Sequence, residues 1–469
     1  MTQAPLHCLE PLPVLQALQD ALPADRIRLG DAIGARHHTD WTRMDPQCPR
    51  ALLLPRSTQE VSTMLRICHA HRQPVVAQGG LTGLVGGAHP QAHEIALSLE
   101  RMNAIGDVDV SGGTLTVQAG AILESVQQAA QAAGFSCGLD IGARGSCTLG
   151  GNIATNAGGN RVIRYGMARD NLLGLEAVLA DGTVVSSLNK MIKNNSGYDL
   201  KHLFIGSEGT LGIVTQAVLR LHPLPSTTQC ALLALPDLDA ALRVLREARA
   251  RLGGSLSAFE VMWPNFYAFV TRLPGVDSPL QGQHGMYLLL EAQGGDEAQD
   301  GARFEQLLSH CLEQGWLEDA AIAQSMQDQL RFWHLRDAVA EFPVHLPHRS
   351  TFDVSFPLDG MAQAVQHVEA SAEAAWPGCT RMYFGHLGDN NLHIVVDVPG
   401  TRGAHAPAIE QMVYDCVGAQ HGAVSAEHGI GRKKRQHLSV SRSPEEIALM
   451  HTLKQALDPL GILNPGKVL

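Results

Sequence analysis

Ten residues, QGGLTGLVGG at 78–87, constrain this chain more than any other stretch. They follow the apolar run PVVAQ and carry Gly79, Gly80, Gly83, Gly86 and Gly87. Glycine tolerates positive φ and close backbone approach, so successive N–H groups can turn inward as an anion nest. Thr82 adds a hydroxyl. One such loop would equally suit a tight turn, but two further windows share its texture: GSCTLGGNIATNAGG at 145–159 and GSEGTLGIVT at 206–215. Small residues mixed with hydroxyls and amides make poor core. They suit a backbone laid along a ligand, with Ser146, Thr155 and Asn156 as polar contacts. None of the three is a GxxxxGK[ST] phosphate loop, and none is a GxGxxG joining a first strand to a helix.

At 469 residues the chain has room for two to three domains. Residues 1–45 read as a helical lead-in, because LEPLPVLQALQDAL spaces its apolar residues as a helix does. Strand-like ALLLPRS, the helix TQEVSTMLRICHAHR with Thr58 at its start, and strand-like PVVAQ then open an α/β unit. GLEAVLADGTVV is a hairpin around Asp181-Gly182. The prolines of LHPLPSTTQ mark a boundary, so residues 46–224 and 225–469 are expected to be the two main domains. The second half alternates strands (ALLALP, MYLLLEAQG, TFDVSF, RMYFGH, NLHIVVDV) with amphipathic helices. It is expected to be an α+β domain with helices on one face of an antiparallel sheet.

A net charge of −11 argues against a nucleic-acid binder. Nine cysteines without CxxC spacing read as reduced thiols. No stretch has the roughly 18–20 apolar residues of a bilayer span, and the start lacks a signal-peptide pattern. The cytoplasm is the expected compartment.

Two patches of the second half carry metal-type chemistry. GHLGDNNLHI holds His386 and His393 on strand-like pieces flanking a Gly-Asp turn. SAEHGIGRKKR holds Glu427 and His428 beside glycines. Among 22 histidines, a pair seven residues apart would alone be coincidence more often than a site. Two imidazoles and a carboxylate, however, make the three-ligand set with open positions that catalytic metals use.

Taken in order, QGGLTGLVGG, GARGSCTLGGNIATNAGG and GYDLKHLFIGSEGTLGIVT resemble the FAD-binding domain of vanillyl-alcohol oxidase type flavoproteins. The resemblance runs from about Pro49 to ILNPGK and is strongest to FAD-dependent D-2-hydroxyacid dehydrogenases, those of D-2-hydroxyglutarate and D-lactate. It implies a two-part FAD-binding domain followed by an α+β substrate domain whose last segment returns to the flavin. The implied cofactor contacts are Gly79, Gly80, Leu81, Thr82, Gly83 and Leu84 in the first window. In the second they are Gly145, Ser146, Gly150, Gly151, Thr155, Asn156, Gly158 and Gly159. Glu208, Gly212 and Ile213 follow in the third, and Asn464 lies at the C-terminus. No histidine lies in the Gly79–Gly83 stretch, where some relatives attach FAD covalently, so non-covalent FAD is expected. The resemblance makes His386, His393 and Glu427 ligands of a divalent metal, zinc before manganese or iron, and His428 the base. In the runner-up assignment His428 is a ligand and Glu427 orients it.

The implied reaction removes hydride from C2 of a D-2-hydroxy acid, with electrons passing to an electron-transfer flavoprotein or a quinone. Arg336, in FWHLRDAVAEF, is the implied carboxylate holder; its planar fork matches both oxygens. Three positions depart from the 2-hydroxyglutarate pattern: Ala340 stands for threonine, Thr351 for lysine and Val395 for asparagine. Burying a second carboxylate without a cation is costly, although Arg349 shares the strand face of Thr351. The resemblance makes D-2-hydroxyglutarate or a related D-2-hydroxy acid the expected substrate, and these departures keep D-lactate, or a role as the flavin subunit of a glycolate oxidase, as the alternative. A metal-dependent hydrolase would use the same metal cluster but leave the glycine windows unexplained. A homodimer is compatible with the chain.

Overall fold

The computed structural model describes residues 12–400 and 403–469. The helix of the lead-in spans Pro13–Ala21, with proline at its first position, where no N–H partner is needed. Short 3-10 turns replace helix across Ala24–His38. The part of the expected lead-in before residue 12 lies outside the described residues.

A four-stranded sheet orders Ile27–Arg28, Ala51–Leu53, Ile95–Ser98 and Val75–Gln78, the last three parallel. Its crossover helix, Thr58–Ala70, buries Val61, Met64, Leu65 and Cys68, the spacing that sequence indicates. Its cap is Ser57, one residue before Thr58: Ser57 Oγ accepts the Glu60 N–H at 3.2 Å. A five-stranded antiparallel sheet follows, in the order Ile105–Asp109, Thr114–Gln118, Ile213–Arg220, Leu172–Val178 and Val184–Ser187. The last two strands form the Asp181-Gly182 hairpin. Both sheets share one apolar core, and Ile462 and Leu463 from the C-terminus join it.

The seven-stranded sheet is antiparallel throughout: Asp319–Ile322, Thr227–Leu235, Met286–Gly294, Leu256–Met262, Thr380–His386, Asn391–Asp397 and Arg349–Ser355. Helices cover both of its faces, not one as the sequence suggests. Helices Leu238–Leu252, Glu297–Glu313, Met361–Ala375 and Ala406–Ala419 pack on one side with Leu288, Leu290, Phe259 and Val261. Pro264–Val270 and Met326–Asp337 pack on the other with Leu289, Met262 and Phe384. MYLLLEA is buried along its whole length because neither face meets water.

Candidate active site

Side chains alternate across a strand, and this alternation assembles the site. Met262, Phe384 and Val395 belong to the second, more aromatic face. Glu260, His386, His393 and Asp353, each two residues from one of these or paired opposite, share that face. Register brings them together: Glu260 opposes His386, and His393 opposes both Phe384 and Asp353. Four titratable groups from four adjacent strands thus form one polar patch beside aromatic side chains.

His386, His393 and Glu427 present ligand atoms that all lie within 4.8 Å of one another. His386 Nε2 is 3.9 Å from Glu427 Oε2. The other nitrogen of His386, Nδ1, is 2.6 Å from Glu260 Oε1. A carboxylate behind an imidazole fixes its tautomer and turns Nε2 outward, as in metal sites. Burial works against a charge on His386, but Glu260 and Glu427 outweigh it and hold the imidazole at about 9. Burial likewise raises Glu260, yet His386 and Arg336 bring it down to about 2. Burial drives His393 well below its ordinary value, toward the neutral form that ligates a metal. The donor set fits a divalent cation.

Glu427 and His428 sit in a turn fastened to Asp353, whose Oδ2 accepts both of their backbone N–H groups at 2.9 Å. The same Oδ2 lies 3.6 Å from His428 Nδ1, so His428 Nε2 is the ring nitrogen left for the cavity. Burial penalises the Asp353 carboxylate, but His428, Lys434 and His393 hold it far below the usual carboxylate range. Its Oδ1 accepts from Asn391 Nδ2 at 2.9 Å, and Asp353, Glu427 and His428 form a second group whose ligand atoms lie within 4.8 Å of one another.

Arg336 is 5% exposed. Its Nε donates to Glu260 Oε2 at 2.7 Å, and its Nη2 lies 3.2 Å from His386 Nε2. The guanidinium therefore stands beside the imidazole cluster. Thr351 and Arg349 lie on the same face further along the strand, opposite Val395 and Asp397. Thr351 is exposed, and Arg349 Nη1 donates to the Leu346 carbonyl at 3.1 Å. Among the described contacts neither reaches the cluster. Val395 is buried at 1%.

The glycine windows meet this cluster. Gly159 N–H donates to Glu427 Oε1 at 3.1 Å, joining the second window to the carboxylate of the cluster. The first two windows are pressed together: a Cβ on Gly80 would lie 2.1 Å from the Ser146 carbonyl oxygen, and one on Gly79 2.5 Å from Thr148 Oγ1. Gly80, Leu81, Gly145 and Ser146 line a cavity of about 590 Å³ together with Arg36, Thr39, Asp40, Trp41 and Arg43. Arginines beside glycine backbone fit a pyrophosphate. Gly83 faces open space. Leu81, Asn156, Glu208 and Asn464 all have positive φ, and strained backbone of this kind clusters where a chain wraps a ligand.

Other predicted cofactor contacts are already engaged. Thr155 Oγ1 donates to Gly151, Asn156 Oδ1 accepts from Arg169, and Ser146 Oγ donates to Ala143. Asn464 accepts from Ala77 N–H and donates to the Glu208 carbonyl, so the C-terminal segment does return to the first window's strand. Glu208 accepts from Ile430 and Gly431 N–H at 2.7 and 2.8 Å; its carboxylate anchors the turn after His428. Gly150 packs on Ala119, Gly212 packs on Phe204, and Ile213 is core. Cofactor contact there is restricted to backbone. Glu260, Asp353 and Glu291 are functional candidates that motif reasoning passed over. Glu260 and Glu291 were visible as lone carboxylates in the apolar runs LSAFEVM and MYLLLEA.

The second glycine window thus reaches a two-imidazole, one-carboxylate cluster through the Gly159–Glu427 hydrogen bond. Residues 224–468 match the C-terminal domain of FAD linked oxidases, and residues 49–187 match an FAD binding domain. The chain belongs to the FAD-linked oxidase family. It is 41% identical to D-2-hydroxyglutarate dehydrogenase of Xanthomonas citri pv. viticola over 97% of each chain. It is 40% identical to the mitochondrial D-2-hydroxyglutarate dehydrogenase of Arabidopsis thaliana, over 92% of this chain and 77% of that one. The fold matches substrate-bound p-cresol methylhydroxylase with a TM-score of 0.77, covering 97% of this chain and 96% of that one at 17% identity. No helix among the described residues is long and apolar enough to cross a membrane.

Proposed function

We propose that this chain oxidises a D-2-hydroxy acid to the 2-oxo acid, with D-2-hydroxyglutarate as the leading substrate. The observation that carries this reading is the Gly159–Glu427 hydrogen bond, which supports flavin and metal groups sharing one cavity. When bound, FAD supplies a two-electron acceptor and a divalent cation, zinc for this N,N,O donor set, supplies Lewis acidity toward the substrate's oxygens.

The chain's own residues do the rest. His386, His393 and Glu427 hold the cation, and Glu260 locks the tautomer of His386. Arg336, kept charged by Glu260, holds the substrate carboxylate. His428 Nε2 takes the proton of the C2 hydroxyl, and the Asp353 carboxylate beside Nδ1 stabilises the imidazolium that results. In this assignment residues 46–224 are the FAD-binding domain and 225–469 the substrate domain. The electron acceptor is an electron-transfer flavoprotein or a quinone, and the compartment is the cytoplasm.

A second reading, a monocarboxylate such as D-lactate, rests on one observation. Near Arg336 the sheet offers buried Val395 and uncharged Thr351, and the guanidinium of Arg349 is turned to the Leu346 carbonyl. Anaerobic bleaching of the flavin by D- and L-2-hydroxyglutarate and D- and L-lactate, with and without chelator, tests both readings. D-enantiomers should bleach the flavin and chelator should stop it. Faster reduction by D-lactate would select the second reading, and chelator-insensitive reduction would remove the metal.

A further inference from the structure

Arg161 lies two residues beyond Gly159 and reaches out of the glycine-window half into the seven-stranded sheet. Its Nε and Nη2 donate to the two oxygens of Glu291 at 2.8 and 2.9 Å, and its Nη1 pairs with Asp140. Glu291 is 1% exposed. It also accepts from Ser257 Oγ at 2.7 Å and from the indole N–H of Trp333 at 2.9 Å. The guanidinium carbon of Arg161 stands 5.3 Å from the centre of the Trp333 ring. Burial disfavours the Arg161 charge, but Glu291 and Asp140 outweigh it and keep the guanidinium firmly protonated.

Every acceptor position of Glu291 is thus used, and a fork-to-fork pair of this type fixes orientation as well as distance. Trp333 and Arg336 sit on one helix, Met326–Asp337, at the i, i+3 spacing that places them on one face. That helix has few other polar ties to the sheet: Gln329 donates to the Thr228 carbonyl, and Arg336 donates to Glu260. The flavin half therefore reaches Arg336 through Arg161, Glu291 and Trp333, an ion pair and an indole hydrogen bond in series.

We propose that Arg161, Glu291 and Trp333 are positioning residues that set Arg336, and with it the substrate carboxylate, against the flavin. None of the three needs to touch substrate for this. The inference rests on Arg336 being the carboxylate holder, as proposed above.

The test uses the FAD- and metal-loaded protein and titrates it calorimetrically with the 2-oxo acid product, alongside kcat and KM. Trp333→Phe keeps the ring and removes only the N–H, and Glu291→Gln keeps the shape and removes the charge. FAD content and thermal midpoint establish that each variant is folded. Losing a hydrogen bond to a charged acceptor should weaken 2-oxo acid binding roughly 10-fold in Trp333→Phe, and more in Glu291→Gln. KM should rise more than kcat falls. In an Arg336→Lys background the same two changes should each cost less than about 2-fold, because the group they position is gone. Folded variants that bind like the wild type, or losses that persist in full in the Arg336→Lys background, would overturn the positioning role. Wild-type protein that binds no 2-oxo acid would instead sink the functional reading itself.

Discussion

Glu260 is the residue whose loss is most informative, because one carboxylate serves both His386 and Arg336, the proposed metal ligand and the proposed substrate arginine. In Glu260→Gln the shape is retained but one oxygen becomes an amide nitrogen. Oε1 now accepts from His386 Nδ1 at 2.6 Å and Oε2 from Arg336 Nε at 2.7 Å. Whichever way the amide is flipped, it sets a donor against a donor. His386 then loses the partner that fixes its tautomer, and losses of this kind lower metal affinity by about 10–100-fold. Arg336 stays buried without its anion, which costs about 3–5 kcal/mol for a broken buried pair, the lower end applying because Glu427 remains nearby. The imidazole should also fall from about 9, since the nearest negative charge is removed. Zinc affinity of the FAD-loaded variant, measured by competition with a chelating dye, should drop within that 10–100-fold range, and the thermal midpoint should fall with it. Affinity within 2-fold of wild type in a folded variant would refute the claim that Glu260 orients His386 as a metal ligand.

Other expectations follow from the same geometry. His428→Ala should slow single-turnover flavin reduction by roughly 10²–10⁴-fold with FAD content unchanged, and near-normal reduction would remove His428 as the base. Gly80→Ala should fail to retain FAD in gel filtration, because its Cβ would overlap the Ser146 carbonyl at 2.1 Å; normal FAD retention would show that the two windows need not be in contact. Burial pushes Glu208 up to about 7 against the opposing pull of the Ile430 and Gly431 N–H groups. The folded state thus holds its proton more tightly than the unfolded state, so this contribution to stability is complete below about pH 4.5 and is lost as pH rises through 7. Across that window the wild type should lose up to about 3 kcal/mol relative to Glu208→Gln in urea melts, and parallel pH profiles would contradict the assignment.

The cluster of His386, His393 and Glu427 was legible because its motifs are local: His386 and His393 flank one turn, and Glu427 and His428 are adjacent. The three glycine windows were legible for the same reason. What motif reading could not supply was register. Glu260 meets His386 from 126 residues away, and Glu291 meets Arg161 from 130 away; only strand pairing decides such partners. The second helical cover of the sheet is instead written in the sequence. A fully apolar run such as MYLLLEA signals burial on both sides, and helices Pro264–Val270 and Met326–Asp337 supply the second cover. Glu208, expected beside the cofactor, turns its side chain in GSEGTLG toward the 428–431 turn while its backbone follows the window, a partner that only the fold supplies. Arg349 shares the strand face of Thr351 as alternation requires, yet its guanidinium is drawn to the Leu346 carbonyl.

In the proposed arrangement flavin and metal face each other across one small space. An anomalous difference map at the zinc edge, from crystals of FAD-loaded protein soaked in zinc, tests it most directly. A single strong peak is expected within coordination distance of His386, His393 and Glu427, with flavin density between that peak and the Gly158-Gly159 backbone. A peak on other ligands, or an isoalloxazine ring lying away from Glu427, would contradict it.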